Sequence, residues 1–137
     1  MQSNIEIVRL AVEGFNREGV EGMLPYFTDD VEVYDPDLPP GDYRGIEAVR
    51  HVISELISGF ARVAVEGVRV LTAGDRVVAL LHSRGTGERD ALEVEFRDAH
   101  MLTFRDGKIS YWRVYLDRAE ALSDAGLDPE LAKVEPS

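Results

Sequence analysis

The sequence predicts an α+β fold in which a curved, largely antiparallel sheet wraps around helices that come first in the chain. Apolar residues recur at helical spacing over roughly the first 60 positions, and long Val-rich segments follow from residue 62 onward. Turn signals at 73–75 and 105–108 separate these later segments, as expected of hairpins. A sheet that curls over helices encloses a space at its wide end where a small ligand fits.

The first half of the chain reads as three helices and one strand. Ser3 begins the first helix with a capping box, and Gly19 ends it. A short second helix is predicted over 20–27, and a third over about 45–60 carries a continuous apolar stripe. A strand at 31–36 lies between them, followed by a loop.

The second half reads as four strands and a short helix. The strands are predicted at 62–73, 76–86, 91–105 and 109–117. Asp117 caps a final helix from Ala119 to Ala125, and the tail from Asp128 to residue 137 is expected to be loose. Without a linker or an internal repeat, we expect residues 1–137 to form a single domain.

Composition excludes several classes of function. The 137 residues carry a net charge of −11, which disfavours binding to nucleic acid or to anionic membranes. The chain has no cysteine, so thiol chemistry and disulfides are excluded. Because no apolar stretch approaches about 20 residues and no secretory signal is evident, we expect a cytoplasmic protein.

Asp35 is the first candidate functional residue. In the strand at 31–36 it shares a face with Val31 and Val33 by the two-residue period, so the pattern places a carboxylate on an apolar, inward side. A buried acid with few partners has a raised pKa and is often functional. The alternative is that Asp35 only starts the turn into Pro36.

The strand at 91–105 supplies a second polar pair. Phe96, Asp98, His100 and Leu102 share its more apolar face, which predicts that Asp98 and His100 point inward. His100 could instead have a structural role, hydrogen-bonded to Asp98 or to a backbone carbonyl.

Several segments together resemble a known family. They are Phe15-Asn16, Val31 to Pro36, Tyr43 to Gly45 with Ala48-Val49, Phe104 to Ile109, Trp112 to Arg118 and the Ala-rich end of the chain. In order and spacing they resemble the SnoaL-like branch of the nuclear transport factor 2-like superfamily, over about residues 4–127. The resemblance implies a cone-shaped, cystatin-like fold, a ligand cavity between sheet and helices, and a homodimer formed through the outer sheet face.

The resemblance also implies which residues surround the cavity. By this resemblance, His82 and Arg84 point inward from one strand, and Trp112 and Val114 from another. The residues expected around the cavity are then Val33, Asp35, His82, Arg84, Asp98, His100, Trp112 and Val114. Asp35 aligns with the general base of ketosteroid isomerases, and His100 with a donor to the enolate oxygen. Arg84 could instead pair with an acid, and His82 and Arg84 could simply be solvated.

The chain departs from each characterised activity of this fold. Ala11 stands where the isomerases have a tyrosine, and Val114 replaces an acid of the cyclases and epoxide hydrolases. Histidines at 51, 82 and 100 lie on different elements without metal-ligand spacing, so no metal and no cofactor is expected.

Two functions remain open. The first is cofactor-free proton transfer on a small, largely apolar carbonyl compound, in the manner of an isomerase, cyclase or lyase. The alternative is a non-catalytic or dimeric protein that holds an apolar ligand in the same pocket.

Overall fold

A computed structural model describes residues 3–134. The helices are α1 (Asn4–Glu18), α2 (Val20–Met23), α3 (Ile46–Leu56) and α4 (Arg118–Asp124), with 3-10 turns at Leu24–Tyr26 and Pro129–Lys133. The strands are β1 (Phe27–Tyr34), β2 (Asp42–Arg44), β3 (Phe60–Ala73), β4 (Arg76–Gly87), β5 (Glu93–Arg105) and β6 (Lys108–Tyr115).

The six strands form one mixed sheet in the order β2-β1-β6-β5-β4-β3. Only the β1–β6 pair is parallel; β3 to β6 form a meander of antiparallel hairpins. The predicted α+β fold with a curved sheet around N-terminal helices is therefore confirmed. Because β3 and β4 extend far beyond β1, the sheet is wide on one side and the helices cover only part of it.

Helix α1 begins and ends where the sequence indicates; α2 and α3 begin near their predicted starts but end earlier than predicted, at Met23 and Leu56. Ser3 Oγ accepts a hydrogen bond from the Glu6 N–H at 3.2 Å, and Gly19 ends α1 with a φ of 72° that favours glycine. The chain then reverses into α2, which crosses α1 in backbone contact at Gly14 and Gly22. A Cβ on either glycine would overlap the carbonyl oxygen of the other.

The sheet is buried on both faces. On the concave face, α1 and α3 pack residues such as Val8, Val49 and Val52 against β1 and β6. On the outer face, Ala121 and Leu122 of α4 cover a second apolar cluster, whose sheet residues are Val78, Leu80, Ala99, Met101 and Tyr115. Burying both clusters supplies the main driving force for folding.

Two segments differ from the sequence prediction. Part of the loop expected after β1 forms strand β2, because Asp42 to Arg44 pair with Glu32 to Tyr34 at the open sheet edge. The tail expected to be loose from Asp128 instead forms a 3-10 turn, capped by the Asp128 side chain and packed on the outer cluster through Leu131. Residues 135–137 of that predicted tail lie outside the described residues.

The outer face bears on the predicted homodimer. Helix α4 occupies its centre, and beyond α4 the face carries charged residues such as Arg84 and Glu66. The homodimer therefore stays a prediction, and only the uncovered part of the face would be available to it. Within residues 3–134, no helix is both long and apolar enough to cross a membrane.

The crossing of α1 and α2 generates the first prediction. Gly14→Ala should destabilise the protein by about 1–3 kcal/mol, because the added methyl group forces two backbones apart. Chemical denaturation measures the loss. Glu13→Ala is the matched control, since Glu13 is an exposed residue of the same helix and should change stability by less than about 0.5 kcal/mol. Equal stability of the two variants would contradict the close crossing.

Candidate functional site

A cavity of about 440 Å³ lies between the concave sheet face and the helices. Its wall is mostly apolar; residues from eight helices and strands contribute, among them Val8, Phe15, Phe27, Ile53, Leu81 and Leu102. Such a cavity has the size and character of sites that hold small organic molecules. It is bounded by α1 and the end of α3 on one side and by β3 to β6 on the other.

The polar residues of the cavity lie on three neighbouring strands. Glu95, Arg97, Asp98 and His100 come from β5, Trp112 from β6 and Ser83 from β4. His100 stands opposite Val114 of β6, two residues from Trp112, and opposite Ala79 of β4. Their side chains therefore belong to one polar patch in an otherwise apolar wall.

Trp112, His100 and Asp98 form a chain of hydrogen bonds. The Trp112 Nε1–H donates to His100 Nδ1 at 2.8 Å, and His100 Nε2 lies 2.6 Å from Asp98 Oδ2. An indole N–H can only donate, so Nδ1 must be the acceptor and the imidazole proton sits on Nε2. The His100 Nε2–H therefore donates a hydrogen bond to the Asp98 carboxylate, and both ring nitrogens have a partner.

Asp98 carries the charge of this chain. Burial raises the pKa of Asp98, but the His100 ring with its hydrogen bond, and the Arg118 guanidinium more weakly, act in the opposite direction and hold it below its ordinary value. The carboxylate is therefore ionised at neutral pH. Its side chain is 22% exposed and lines the cavity, so the charge faces the cavity space.

The structure brings only some of the predicted site residues together. Asp98, His100 and Trp112 line the cavity, as the alternation of β5 and the resemblance had predicted. Val33 and Val114 are buried in the concave core but do not line the cavity. Both positions are filled by packing, so neither reaches a ligand.

His82 and Arg84 face the outer side of the sheet, which corrects their predicted inward direction. Arg84 donates hydrogen bonds to Glu66 at 3.2 Å and to Glu93 and Glu95 at 3.0 Å each. His82 Nε2 lies 3.4 Å from Glu95 Oε1. The inward face of β4 is the alternate set with Ala79, Leu81 and Ser83. Both faces of β4 look apolar in sequence because α4 covers the outer one.

Asp35 also lies elsewhere than predicted. It is buried, with 5% exposed, but it is not among the cavity residues. Its Oδ1 accepts a hydrogen bond from the Asp37 N–H at 3.0 Å, and its carbonyl accepts from the Leu38 N–H at 3.1 Å. Asp35 thus builds the turn after β1, the alternative that the Asp-Pro sequence had left open.

Ser83 was not predicted as a site residue. It is buried, with 6% exposed, and lines the cavity on the strand next to Asp98. The alternation of β4 would have found it only if the outer cover by α4 had been known. Phe96 of β5, beside it in the wall, packs edge-on against Phe60, and both rings lie over Gly85, where a Cβ would overlap them.

Fold and cavity define a class: a cone-shaped α+β protein with a mostly apolar cavity between the concave sheet face and the helices. The chain belongs to the SnoaL-like domain family, whose profile matches residues 8–112. A search of proteins with curated descriptions gave no match.

Solved structures show the same fold at low identity. A protein of unknown function with the nuclear transport factor 2-like fold, from Burkholderia pseudomallei K96243, is 24% identical with a TM-score of 0.71, over 90% of this chain and 97% of that one. TerC, co-crystallised with polyporic acid, is 20% identical with a TM-score of 0.70, over 90% and 98%. A proposed SnoaL-like polyketide cyclase from Jannaschia sp. CCS1 is 22% identical with a TM-score of 0.67, over 84% and 89%.

The hydrogen-bond chain predicts one tautomer for His100. At neutral pH, ¹⁵N chemical shifts should show a proton on Nε2 and an unprotonated Nδ1. Trp112→Phe removes the indole donor and should abolish that preference at His100 while leaving the shifts of the exposed His51 unchanged. A proton on Nδ1 in the unmodified protein would contradict the arrangement.

The lowered pKa of Asp98 predicts how stability depends on pH. A carboxyl group whose pKa is lower in the folded than in the unfolded state stabilises the fold above its unfolded value of about 4, and that contribution disappears as pH falls through the folded value. Asp98→Asn should therefore cost roughly 1–3 kcal/mol at pH 7. The difference from the unmodified protein should shrink below about pH 4. Urea denaturation from about pH 2.5 to about pH 7, a range that spans ordinary carboxyl pKa values, measures the free energy of unfolding of both proteins. A stability difference between them that does not change with pH would refute the assignment.

Proposed function

We propose that the protein catalyses cofactor-free proton transfer on a small, largely apolar carbonyl compound, with Asp98 as the general base. The observation that carries this proposal is an ionised carboxylate, oriented by His100, in the wall of an apolar cavity of about 440 Å³. A carboxylate held beside an apolar ligand is what abstraction of a proton next to a carbonyl requires.

The reaction would proceed in two transfers. The ligand fills the apolar part of the cavity and presents a C–H bond to Asp98. That bond breaks, the proton moves to the carboxylate, and the electron pair forms an enolate. Asp98 then returns the proton to the same or another carbon, so the carboxylate is regenerated and no redox partner is needed.

His100 has a positioning role in this proposal. Its Nε2–H holds Asp98 Oδ2 at 2.6 Å, and Trp112 fixes the ring from the other side at 2.8 Å. With both nitrogens engaged, His100 has no hydrogen to offer to the enolate oxygen. The resemblance had implied that His100 is the donor to the enolate oxygen, so this positioning role is different. The enolate must then be stabilised by a group other than His100.

The family supports the class of ligand. The SnoaL-like match covers most of the chain, and the similar TerC has been crystallised with the organic ligand polyporic acid. A proposed polyketide cyclase has the same fold. These likenesses support a pocket for an organic molecule, and the chemistry rests on this chain's own residues.

A second candidate is a non-catalytic protein that binds the same kind of ligand. The lowered pKa of Asp98 favours it, because a carboxylate that holds its proton weakly is a weak base. In this case Asp98 would only orient the ligand.

Hydrogen–deuterium exchange tests the proposal. The probe is 2-tetralone, a small ketone with acidic C–H bonds, and proton NMR in D₂O follows loss of its α-hydrogens. The protein should accelerate the exchange, and Asp98→Asn should reduce the acceleration by about 100-fold or more. Binding of 2-tetralone with no acceleration would select the second candidate.

Asp35→Asn is the matched comparison. An asparagine keeps an oxygen that can accept from the Asp37 N–H, so the turn after β1 should persist and the exchange rate should stay within about twofold of the unmodified protein. Loss of exchange in Asp35→Asn with full activity in Asp98→Asn would restore Asp35 as the base.

A further inference from the structure

We infer that Ser83 is the hydrogen-bond donor to the ligand's carbonyl oxygen, so that base and donor stand on adjacent strands and select a neutral ketone. This inference rests on the proposed function, since it names the group that stabilises the enolate formed by Asp98. Its starting point is a buried hydroxyl group that the protein itself leaves unused.

Ser83 is buried and polar, and it faces the cavity. Only 6% of the residue is exposed, and it is part of the cavity wall. Among residues 3–134 no side chain or backbone group forms a hydrogen bond with its Oγ. Its hydroxyl group borders the cavity, so it can donate a hydrogen bond to a ligand there.

The other donors at the cavity are already engaged. His100 donates to Asp98, and the Trp112 indole donates to His100. Arg97, which also lines the cavity, donates to Glu95 at 3.4 Å. Within the described part of the wall, Ser83 is therefore the neutral donor that remains for a ligand oxygen.

The register of β4 and β5 places Ser83 at a useful distance from Asp98. Ser83 stands opposite Phe96 and Leu81 stands opposite Asp98, so Ser83 and Asp98 are diagonal neighbours on the concave face. Diagonal positions in an antiparallel pair are separated by about 7–8 Å. Two side chains that lean toward each other across this gap can contact a C–H group and an oxygen two bonds away on one ligand.

This pair also restricts the charge of the ligand. The carboxylate of Asp98 repels an anion, a hydroxyl donor offers no charge to compensate, and Arg97 of the wall is paired with Glu95. A hydrocarbon would leave both polar groups without a partner. The chemical class that satisfies both is a neutral carbonyl compound with a hydrogen on the adjacent carbon.

The test compares two probes that differ in one oxygen: 2-tetralone and its hydrocarbon analogue tetralin. Trp112, the one tryptophan of the chain, lines the cavity, so quenching of its fluorescence reports binding of each. Ser83→Ala should weaken 2-tetralone binding by about threefold to tenfold and leave tetralin unchanged. It should slow α-hydrogen exchange by about 100-fold, because the donor acts most strongly on the developing oxyanion.

Ser83→Thr and Ser83→Val form a matched pair. They fill the same volume and differ only in a hydroxyl against a methyl group, so any change in cavity size is common to both. Ser83→Thr should bind 2-tetralone more tightly than Ser83→Val and exchange its α-hydrogens faster. The two variants should bind tetralin with the same affinity.

The outcomes separate this inference from the proposed function. If the protein shows no exchange but Ser83 still sets the preference for the ketone, the inference holds and the catalytic proposal fails. Suppose instead that exchange depends on Asp98, that Ser83→Ala exchanges as fast as the unmodified protein, and that Ser83→Thr matches Ser83→Val. The catalytic proposal then holds and Ser83 is not the donor. Absence of any preference for 2-tetralone over tetralin in the unmodified protein would also overturn the inference.

Discussion

Three polar side chains in an apolar wall must satisfy one another, and this constraint organises the cavity. An indole, an imidazole and a carboxylate removed from water each lose hydration that only a hydrogen bond can replace. The bonds from Trp112 to His100 and from His100 to Asp98 provide that replacement and leave one net charge, on the carboxylate nearest to solvent. The same two bonds fix the imidazole tautomer, hold the ring in place and aim the carboxylate. A site that is rigid before a ligand arrives is the consequence.

The cavity exists because the sheet is stabilised from two sides. Helix α1 packs on β3, β4 and β6 and helix α3 on β1, while α4 covers the outer face of β4 and β5. The outer cluster around Leu80 and Leu122 buries the outer face of the long strands opposite the cavity, so these strands have an apolar cover on the side where the cavity gives none. A sheet covered only on its concave side would have to fill that space to bury its apolar residues. The ligand cavity is thus linked to a helix on the opposite face.

How much could be predicted from the sequence follows from the same two-sided burial. The helices at the start of the chain and the inward face of β5 were predictable, because one face of each is clearly more apolar than the other. The face of β4 was not, since Val78 and Leu80 are as apolar as Ala79 and Leu81, and the sequence does not show that α4 will cover the first pair. For this reason His82 and Arg84 were expected inside and Ser83 was missed. The alternation of the strand correctly predicted that Asp35 is buried. The strand ends at Tyr34, however, and the Asp35 carboxylate accepts a hydrogen bond within the turn that follows.

The chemistry that such a site can support depends on the donor more than on the base. The bond from His100 that orients Asp98 also lowers its pKa, so the carboxylate gains direction and loses basicity. A weak base can remove a proton only from a carbon whose anion is stabilised by something else, and an apolar wall provides no such stabilisation. The group that faces the ligand oxygen therefore decides between an enzyme and a binding protein. A hydroxyl on the next strand, buried and unused by the protein, is in the position from which it can make that difference.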